Sequence, residues 1–285
     1  MCRFLVYKGR EMFMSDLLTR SSRSLIQQSF KAREHAEPLN GDGFGVGWYA
    51  PEVDRIPCVF TSVQPAWSNR NLHRLAEKIR SSCFFAHVRA ATPGLAVSEA
   101  NCHPFQYDRF LWMHNGSING FEKIKRRLRA SLSDHVYGII DGTTDSEHAF
   151  AVFLNRVMPR LKDYTLDDLI EAMNFTVLQI ESWLQEAGVD VPSRCNFALT
   201  DGQSVLATKY VAVRDSDPLT LYVSSGERFE LAGGEYRMRP TKCRAHAVII
   251  ASEPLTDNRD DWTPAPKNNL VVVTPELQIR YLPVA

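Results

Sequence analysis

Met1-Cys2-Arg3-Phe4-Leu5-Val6-Tyr7 opens the chain, and its reading decides how the rest is read. A methionine before a small residue is usually removed, which would leave Cys2 as the N-terminus. A thiol and a free α-amine would then share one residue, titrating near ~8.5 and ~8. That amine is the only backbone group able to act as a base near neutrality, and an N-terminal amine can activate its own side-chain nucleophile. The apolar run Phe4–Tyr7 predicts a buried strand that would hold the terminus rigid. Taken alone, Cys2 is better explained as part of an ordinary first strand. Residues further along change that.

The bulk composition sets bounds. With 285 residues, 44% hydrophobic and 23% charged, the chain can build a sizeable core in one large domain or two small ones. The formal net charge is zero, so nothing points to nucleic acid or to a membrane surface as a partner. The basic run Lys123–Arg129 is the solvated side of a helix, because Phe121, Ile124, Leu128 and Leu132 share the opposite face. Cys2, Cys58, Cys83, Cys102, Cys195 and Cys243 form no CxxC pair and no zinc-ligand spacing with a histidine. No metal or cofactor is expected. No signal peptide precedes Cys2, and no apolar run is long enough to span a bilayer. The expectation is a soluble protein of the reducing cytoplasm with free thiols.

Ser15-Asp16 predicts the cap of a helix reaching about Phe30. The stretch Pro38–Trp48 then places glycines at 41, 43, 45 and 47. This spacing predicts a tight turn followed by a strand that something approaches closely. No GK[ST] follows, so it is not read as a nucleotide cradle. Arg70 to Arg80 reads as a short helix, and Ser82–Val88 as a buried strand. That strand delivers Arg89-Ala90-Ala91-Thr92-Pro93-Gly94 at its end, a usual place for binding groups, where Pro-Gly forces a turn. Asn101–Phe105 reads as another turn.

Phe110–Met113 is a third apolar strand, running into His114-Asn115-Gly116. An Asn-Gly pair after a strand is usually a turn; the functional alternative is that the Asn115 amide and the Gly116 N–H converge on one anion. Thr144-x-x-Glu147 fits a capping box for a helix Ser146–Val157, and leaves Asp145 free for a ligand ammonium. A second helix, about Leu166 to Ala187, has Thr165 as cap and Gly188 as stop. Strands follow: Asn196–Thr200 and Ser204–Tyr210 around the Asp201-Gly202 turn, then Leu219–Val223, Ala247–Ala251, Leu270–Thr274 and Gln278–Leu282. Strands, two helices, then strands suggest two sheets with helices outside them. No linker or repeat interrupts the order, so residues 1–285 read as one domain.

These residues together resemble the class II glutamine amidotransferase family, whose members are N-terminal-nucleophile hydrolases. The matches are Cys2 after Met1, Asn40–Gly45 (NGDGFG), His87–Thr92 (HVRAAT), Asn101–Phe105 (NCHPF), His114-Asn115-Gly116 and Thr144–Glu147 (TDSE). They stand in the family's order over the first half of the chain. The likeness is greatest to small single-domain members, such as the fungal glutathione-degrading amidotransferase and the γ-glutamyl hydrolase of ergothioneine synthesis. Ala251-Ser252-Glu253-Pro254-Leu255 and Trp262 are similar to the C-terminal part of these proteins. The resemblance implies an α+β fold, a four-layer αββα sandwich of two mainly antiparallel sheets.

It also implies roles. Cys2 would attack a γ-glutamyl carbonyl to give a thioester, with its amine moving the proton. Asn115 and the Gly116 N–H would form the oxyanion hole. Arg89 would take the substrate α-carboxylate as a bidentate pair, and Asp145 the α-ammonium. Thr92 would assist Arg89, with Asp42 and Gly43 near the pocket. His87, His103 and His114 would be structural hydrogen-bonding groups.

The chain ends soon after such a domain would be complete, leaving no second domain to receive ammonia. Hydrolysis of a γ-glutamyl amide in a small thiol compound is therefore the first reading. The alternative is a glutaminase subunit delivering ammonia to a separate synthase partner. A non-catalytic sensor would not need Cys2, Arg89, Asn115 and Asp145 together. A hydrolase built on Cys102 beside His103 is disfavoured, since adjacent strand residues point apart.

Overall fold

Along Arg3–Phe13, side chains alternate between two faces, and both faces are buried over the first half of the strand. Phe4 and Val6 pack with Phe85, Met113 and Ile250, whereas Leu5 and Tyr7 pack with Leu17, Phe84 and Ile249. A strand apolar on both faces belongs in the middle of a covered sheet. The computed structural model, which describes residues 2–34, 39–90, 97–213 and 216–285, places it there.

The first sheet has seven strands in the spatial order Thr263–Pro264, Tyr222–Gly226, Ala247–Ala251, Arg3–Phe13, Arg80–Val88, Phe44–Ala50, Asp54–Ser62. The second has six, in the order Ile279–Pro283, Asn269–Val273, Val205–Val211, Arg194–Thr200, Phe110–Ser117, Phe105–Tyr107. Every described ladder in both is antiparallel. Each sheet therefore mixes strands from both halves of the chain.

Three apolar clusters define the layers. One lies between the sheets and holds Phe4, Phe85, Leu111, Met113, Ala198, Val248 and Val271. A second covers the far side of the second sheet with the helices Phe121–Ala130, Asp145–Val157 and Leu166–Glu186. A third covers the far side of the first sheet with the segment Asp16–Arg20 and the helices Leu25–Lys31 and Arg70–Ala76. The result is the expected α+β sandwich of two antiparallel sheets with helices outside. Among the described residues, no helix is long and apolar enough to cross a membrane.

Two of the four glycines, Gly45 and Gly47, stand where other backbone and core side chains come close. A Cβ on Gly45 would stand 2.1 Å from the His103 carbonyl oxygen, and one on Gly47 would stand 2.9 Å from Leu111 and Pro104 side-chain atoms. What approaches these two glycines is protein backbone and core.

Several local expectations need correction. The helix from Ser15 to Phe30 is broken: a π-helical turn, Asp16–Arg20, ends at Ser21, and a new helix starts at Leu25. Ser24 is the cap, accepting the Gln27 N–H at 3.3 Å, while Ser15 makes no capping bond. Serines at 21, 22 and 24 favour local backbone bonding over helix continuation. Asn115-Gly116 is no turn but lies within the strand Phe110–Ser117. The capping box at Thr144 is half formed: its Oγ1 accepts the Glu147 N–H at 3.2 Å, but the Glu147 carboxylate accepts the Asp141 and Gly142 N–H groups at 2.8 Å each. The box at Thr165 and Asp168 is complete. The strand expected at Leu219–Val223 lies instead at Tyr222–Gly226, and Asp54–Ser62 and the hairpin Arg228–Ala232/Glu235–Arg239 were not anticipated.

Replacing Gly45 with alanine would drive a methyl group into the His103 carbonyl, a contact neither backbone can relieve. Gly45→Ala is expected to lose about 3 kcal/mol of stability, measured by urea unfolding. A loss below about 0.5 kcal/mol would mean the sheets are further apart here than described.

Candidate active site

Register brings the first group of residues together. Arg3 pairs with Val88 and Phe44 pairs with Val88 on its other side, so Cys2, Arg89 and Gly43 meet at one end of the first sheet. Alternation then sets their direction. Phe4 faces the layer between the sheets, so Cys2 does too; Cys83 and Phe85 face it, so His87 and Arg89 do. The Cys2 thiol stands 3.4 Å from the Ala90 N–H and 3.5 Å from its carbonyl oxygen. Burial pushes this thiol above its ordinary value, while the Ala90 N–H and the Arg89 and Arg3 charges pull it down.

Arg89 is 3% exposed. Its backbone is clamped, the N–H donating to Gly43 O at 2.8 Å and the carbonyl accepting from Asp42 N–H at 3.0 Å. Gly43 is held at φ +119°, and a Cβ there would lie 2.8 Å from Cys102 Sγ and Ser62 O. Asp42 and Gly43 thus belong to the backbone support of Arg89. Arg89 Nη1 is buried and has no hydrogen-bond partner among the described residues. Thr92 and the Pro93-Gly94 turn lie outside the described residues, as does Met1.

The second group comes from the other sheet. Leu111 and Met113 face the inter-sheet layer, so Asn115 does as well. Its Nδ2 donates to Ser252 Oγ at 3.1 Å. Gly116 follows at φ +151°, where a Cβ would lie 1.8 Å from Arg194 O. The Phe197 N–H goes to Thr208 Oγ1 at 2.9 Å, away from the strand Phe110–Ser117. Antiparallel alternation then turns the backbone groups of His114 and Gly116 away from Arg194–Thr200. In keeping with this, the His114 carbonyl accepts from His87 Nε2 at 3.2 Å.

Asp145 opens the helix Asp145–Val157 and is half-buried. It is not wholly free: Oδ2 accepts the Ile118 N–H at 2.7 Å, and Oδ1 accepts from Ser146 Oγ at 3.1 Å. That bond ties it two residues beyond Gly116. His114 stands 2.9 Å through Nδ1 from the same Ser146 hydroxyl. The neighbouring loops are tied as well, Asn101 Oδ1 accepting the Thr143 N–H at 2.9 Å.

The histidines are structural in position. His87 stacks on His103 with ring centroids 4.2 Å apart. Burial pushes His87 down to about 3 and His103 well below the ordinary histidine range, so both are neutral at pH 7. His103 differs from expectation, since neither ring nitrogen has a hydrogen-bond partner among the described residues. Cys102 is buried, which raises its thiol to about 11, as fits a small core residue.

Two site-building residues had no assigned role in the sequence. Arg3, behind Cys2, forms a buried ion pair with Glu253, Nε to Oε1 at 2.6 Å, and donates through Nη1 to Cys2 O at 2.8 Å. Glu253 also accepts the Arg33 and Glu34 N–H groups at 2.9 and 3.1 Å. The only signal was Ser-Glu-Pro after an apolar strand. Among the described residues no cluster of His, Cys, Asp or Glu is placed to hold a metal ion.

The model of the family described as "Glutamine amidotransferases class-II" matches residues 14–278. The chain belongs to the class II glutamine amidotransferases. It is 41% identical over 292 residues to a probable glutamine amidotransferase, DUG3, of Saccharomyces cerevisiae, covering 96% of this chain and 82% of that protein. It is 26% identical over 275 residues to a gamma-glutamyl-hercynylcysteine sulfoxide hydrolase of Mycobacterium tuberculosis, covering 96% and 93%. A class II glutamine aminotransferase domain protein from Silicibacter pomeroyi has the same fold, with TM-score 0.66, 22% identity and 99% of both chains covered. The chain is thus an enzyme of the amidotransferase and amidohydrolase type. The family match starts after Cys2, so the placement of Cys2 in the site rests on register.

Two outcomes follow for this amidotransferase. Glu253→Gln would remove the carboxylate of a buried ion pair and is expected to cost about 3 kcal/mol, read by urea unfolding; a loss under about 1 kcal/mol would mean that the pair is worth no more than one on the surface. The second concerns acid. Below pH ~6.5 an unfolded histidine gains a proton, whereas folded His87 stays neutral down to about 3. The unfolded state therefore binds more protons, and stability falls as the pH drops through this window by about 1.4 kcal/mol per pH unit for each such histidine. His87→Gln, which can still donate to His114 O, should flatten the slope between pH 6 and 4 by that amount. An unchanged slope would show that His87 titrates normally.

Proposed function

We propose that this class II amidotransferase hydrolyses γ-glutamyl amide bonds as one unit spanning residues 1–285, with Cys2 as nucleophile. One observation carries the reading. Arg89 is buried, with one guanidinium nitrogen unpartnered among the described residues, and like Cys2 it lies one residue beyond the Arg3–Val88 pair that ends the ladder. A buried cation with an unmet donor is costly, and an incoming carboxylate relieves that cost. A γ-glutamyl group offers an α-carboxylate for Arg89, an α-ammonium for Asp145 and a γ-carbonyl for Cys2.

In this reading Met1 is removed and Cys2 carries a free amine. The thiol gives its proton to that amine, directly or through water, as sulfur attacks the γ-carbonyl carbon. Asn115 Nδ2 and the Gly116 N–H stabilise the oxyanion. The C–N bond breaks as the amine returns the proton to the leaving group. Water then cleaves the thioester, releasing glutamate and restoring the thiol.

The similarity to a yeast probable glutamine amidotransferase and a mycobacterial γ-glutamyl hydrolase supports a γ-glutamyl substrate over a wider amide range. A small γ-glutamyl thiol compound, glutathione-like or of the ergothioneine pathway, is the substrate we favour, and the cytoplasm the site of action.

Glutamate release from glutamine, glutathione, γ-glutamylcysteine and γ-glutamyl hercynylcysteine derivatives tests this. One γ-glutamyl thiol compound should be turned over well and glutamine poorly, with activity lost in Cys2→Ala and lowered about 10²–10³-fold in Asn115→Ala. Intact mass of the active protein should match a chain starting at Cys2. Activity on glutamine alone, or only with an added synthase, would instead favour the ammonia-delivering subunit. Full activity in Cys2→Ala would sink the proposal.

A further inference from the structure

Ser252 follows the strand Ala247–Ala251 and is fully buried. It stands next to Phe4, to which it is bonded in both directions: its N–H donates to Phe4 O at 3.1 Å, and its Oγ accepts the Phe4 N–H at 3.0 Å. The hydroxyl thus does for Phe4 what a backbone carbonyl does elsewhere in the ladder. The Ser252 carbonyl is held in turn by Thr220 Oγ1 at 2.8 Å. The hydroxyl oxygen is therefore fixed at the end of the first sheet, two residues from Cys2.

The same oxygen receives the Asn115 Nδ2–H, at 3.1 Å, from the second sheet. Two facts make this contact decisive. Asn115 Oδ1 is buried with no partner among the described residues, so Ser252 Oγ is the one described hydrogen-bond partner of that side chain. And Nδ2 carries two hydrogens, of which Ser252 takes one. Terminal amide torsions are intrinsically broad, so this hydrogen bond is the one described polar restraint on the rotation of the buried amide.

We infer that Ser252 is a positioning residue for the oxyanion hole. By holding one Nδ2–H it aims the other at the γ-carbonyl, and it sets that donor relative to Cys2 because one oxygen bonds both the nucleophile's strand and the amide. The inference rests on the reading of Asn115 as an oxyanion donor given above. A donor misplaced by about 1 Å can cost on the order of 10²-fold in rate.

The experiment uses the full chain and the panel of γ-glutamyl compounds already named. Ser252→Ala should lower kcat by about 10- to 100-fold and leave KM within about 2-fold, since Arg89 and Asp145 still bind the head group. Ser252→Thr, which keeps the hydroxyl, should recover most of the rate. In an Asn115→Ala background, Ser252→Ala should add no further loss, because it acts through that amide. A crystal structure of Ser252→Ala should show the Asn115 amide rotated and the Phe4 strand in place. Should Ser252→Ala not fold, Ser252→Cys, similar in size but a weak acceptor, is read the same way.

Losses that add in the double variant, or an unmoved amide with kcat within 2-fold of wild type, would overturn the inference. If the wild-type protein releases no glutamate from any probe, the proposed function fails, and the position of the amide in the Ser252→Ala crystal structure still decides the role of Ser252.

Discussion

The arrangement depends on the register of one strand. Arg3–Phe13 runs between Arg80–Val88 and Ala247–Ala251, and a slip of one residue would turn every side chain to the opposite face. Cys2 would then point to the outer helices and Arg3 into the layer between the sheets. The buried Arg3–Glu253 pair guards against this, because a guanidinium can be buried on the outer face only where Glu253 and its bonds to Arg33 and Glu34 await it. Such a pair contributes little net stability compared with apolar packing, but it penalises the wrong register heavily.

The space between the sheets is narrow at the site end, and the glycines make it so. Gly45 and Gly47 let the His103 carbonyl and Leu111 come within contact of the first sheet's backbone. That closeness lets Asn115, on one sheet, reach Ser252, on the other, and lets His87 reach the His114 carbonyl. Groups from two sheets can converge on one small head group only if the sheets close to this distance. The neutral histidine stack fills the same narrow end without bringing charge into it.

Much of this was legible beforehand, for identifiable reasons. Cys2 at an apolar strand's head, the long helix between Thr165 and Gly188, and the Asp201-Gly202 turn are local signals, and each stands as read. The serine-rich break after Arg20 leaves no mark in the apolar pattern, because Leu17, Leu18, Leu25 and Ile26 are buried on both sides of it; the capping preference of Ser24 decides the outcome. Asn115-Gly116 carries a turn signature, yet its neighbours on Arg194–Thr200 hold it in the ladder. Ser252 and Glu253 were visible as letters but not as roles. Their partners, Phe4 and Arg3, lie nearly a full chain length away, and only the register of the first sheet brings them together.

That topology also orders events during synthesis. Of the described strands Arg3–Phe13 is made first, but its neighbour Ala247–Ala251 is among the last. At ordinary translation speeds the interval is on the order of tens of seconds. During that time Arg3–Phe13 lacks one of its two neighbours, and the Arg3–Glu253 pair is not yet formed. The sheet therefore closes only when Ala247–Ala251 comes to lie beside Arg3–Phe13, and it is this late pairing that brings Ser252 to Phe4 and Glu253 to Arg3.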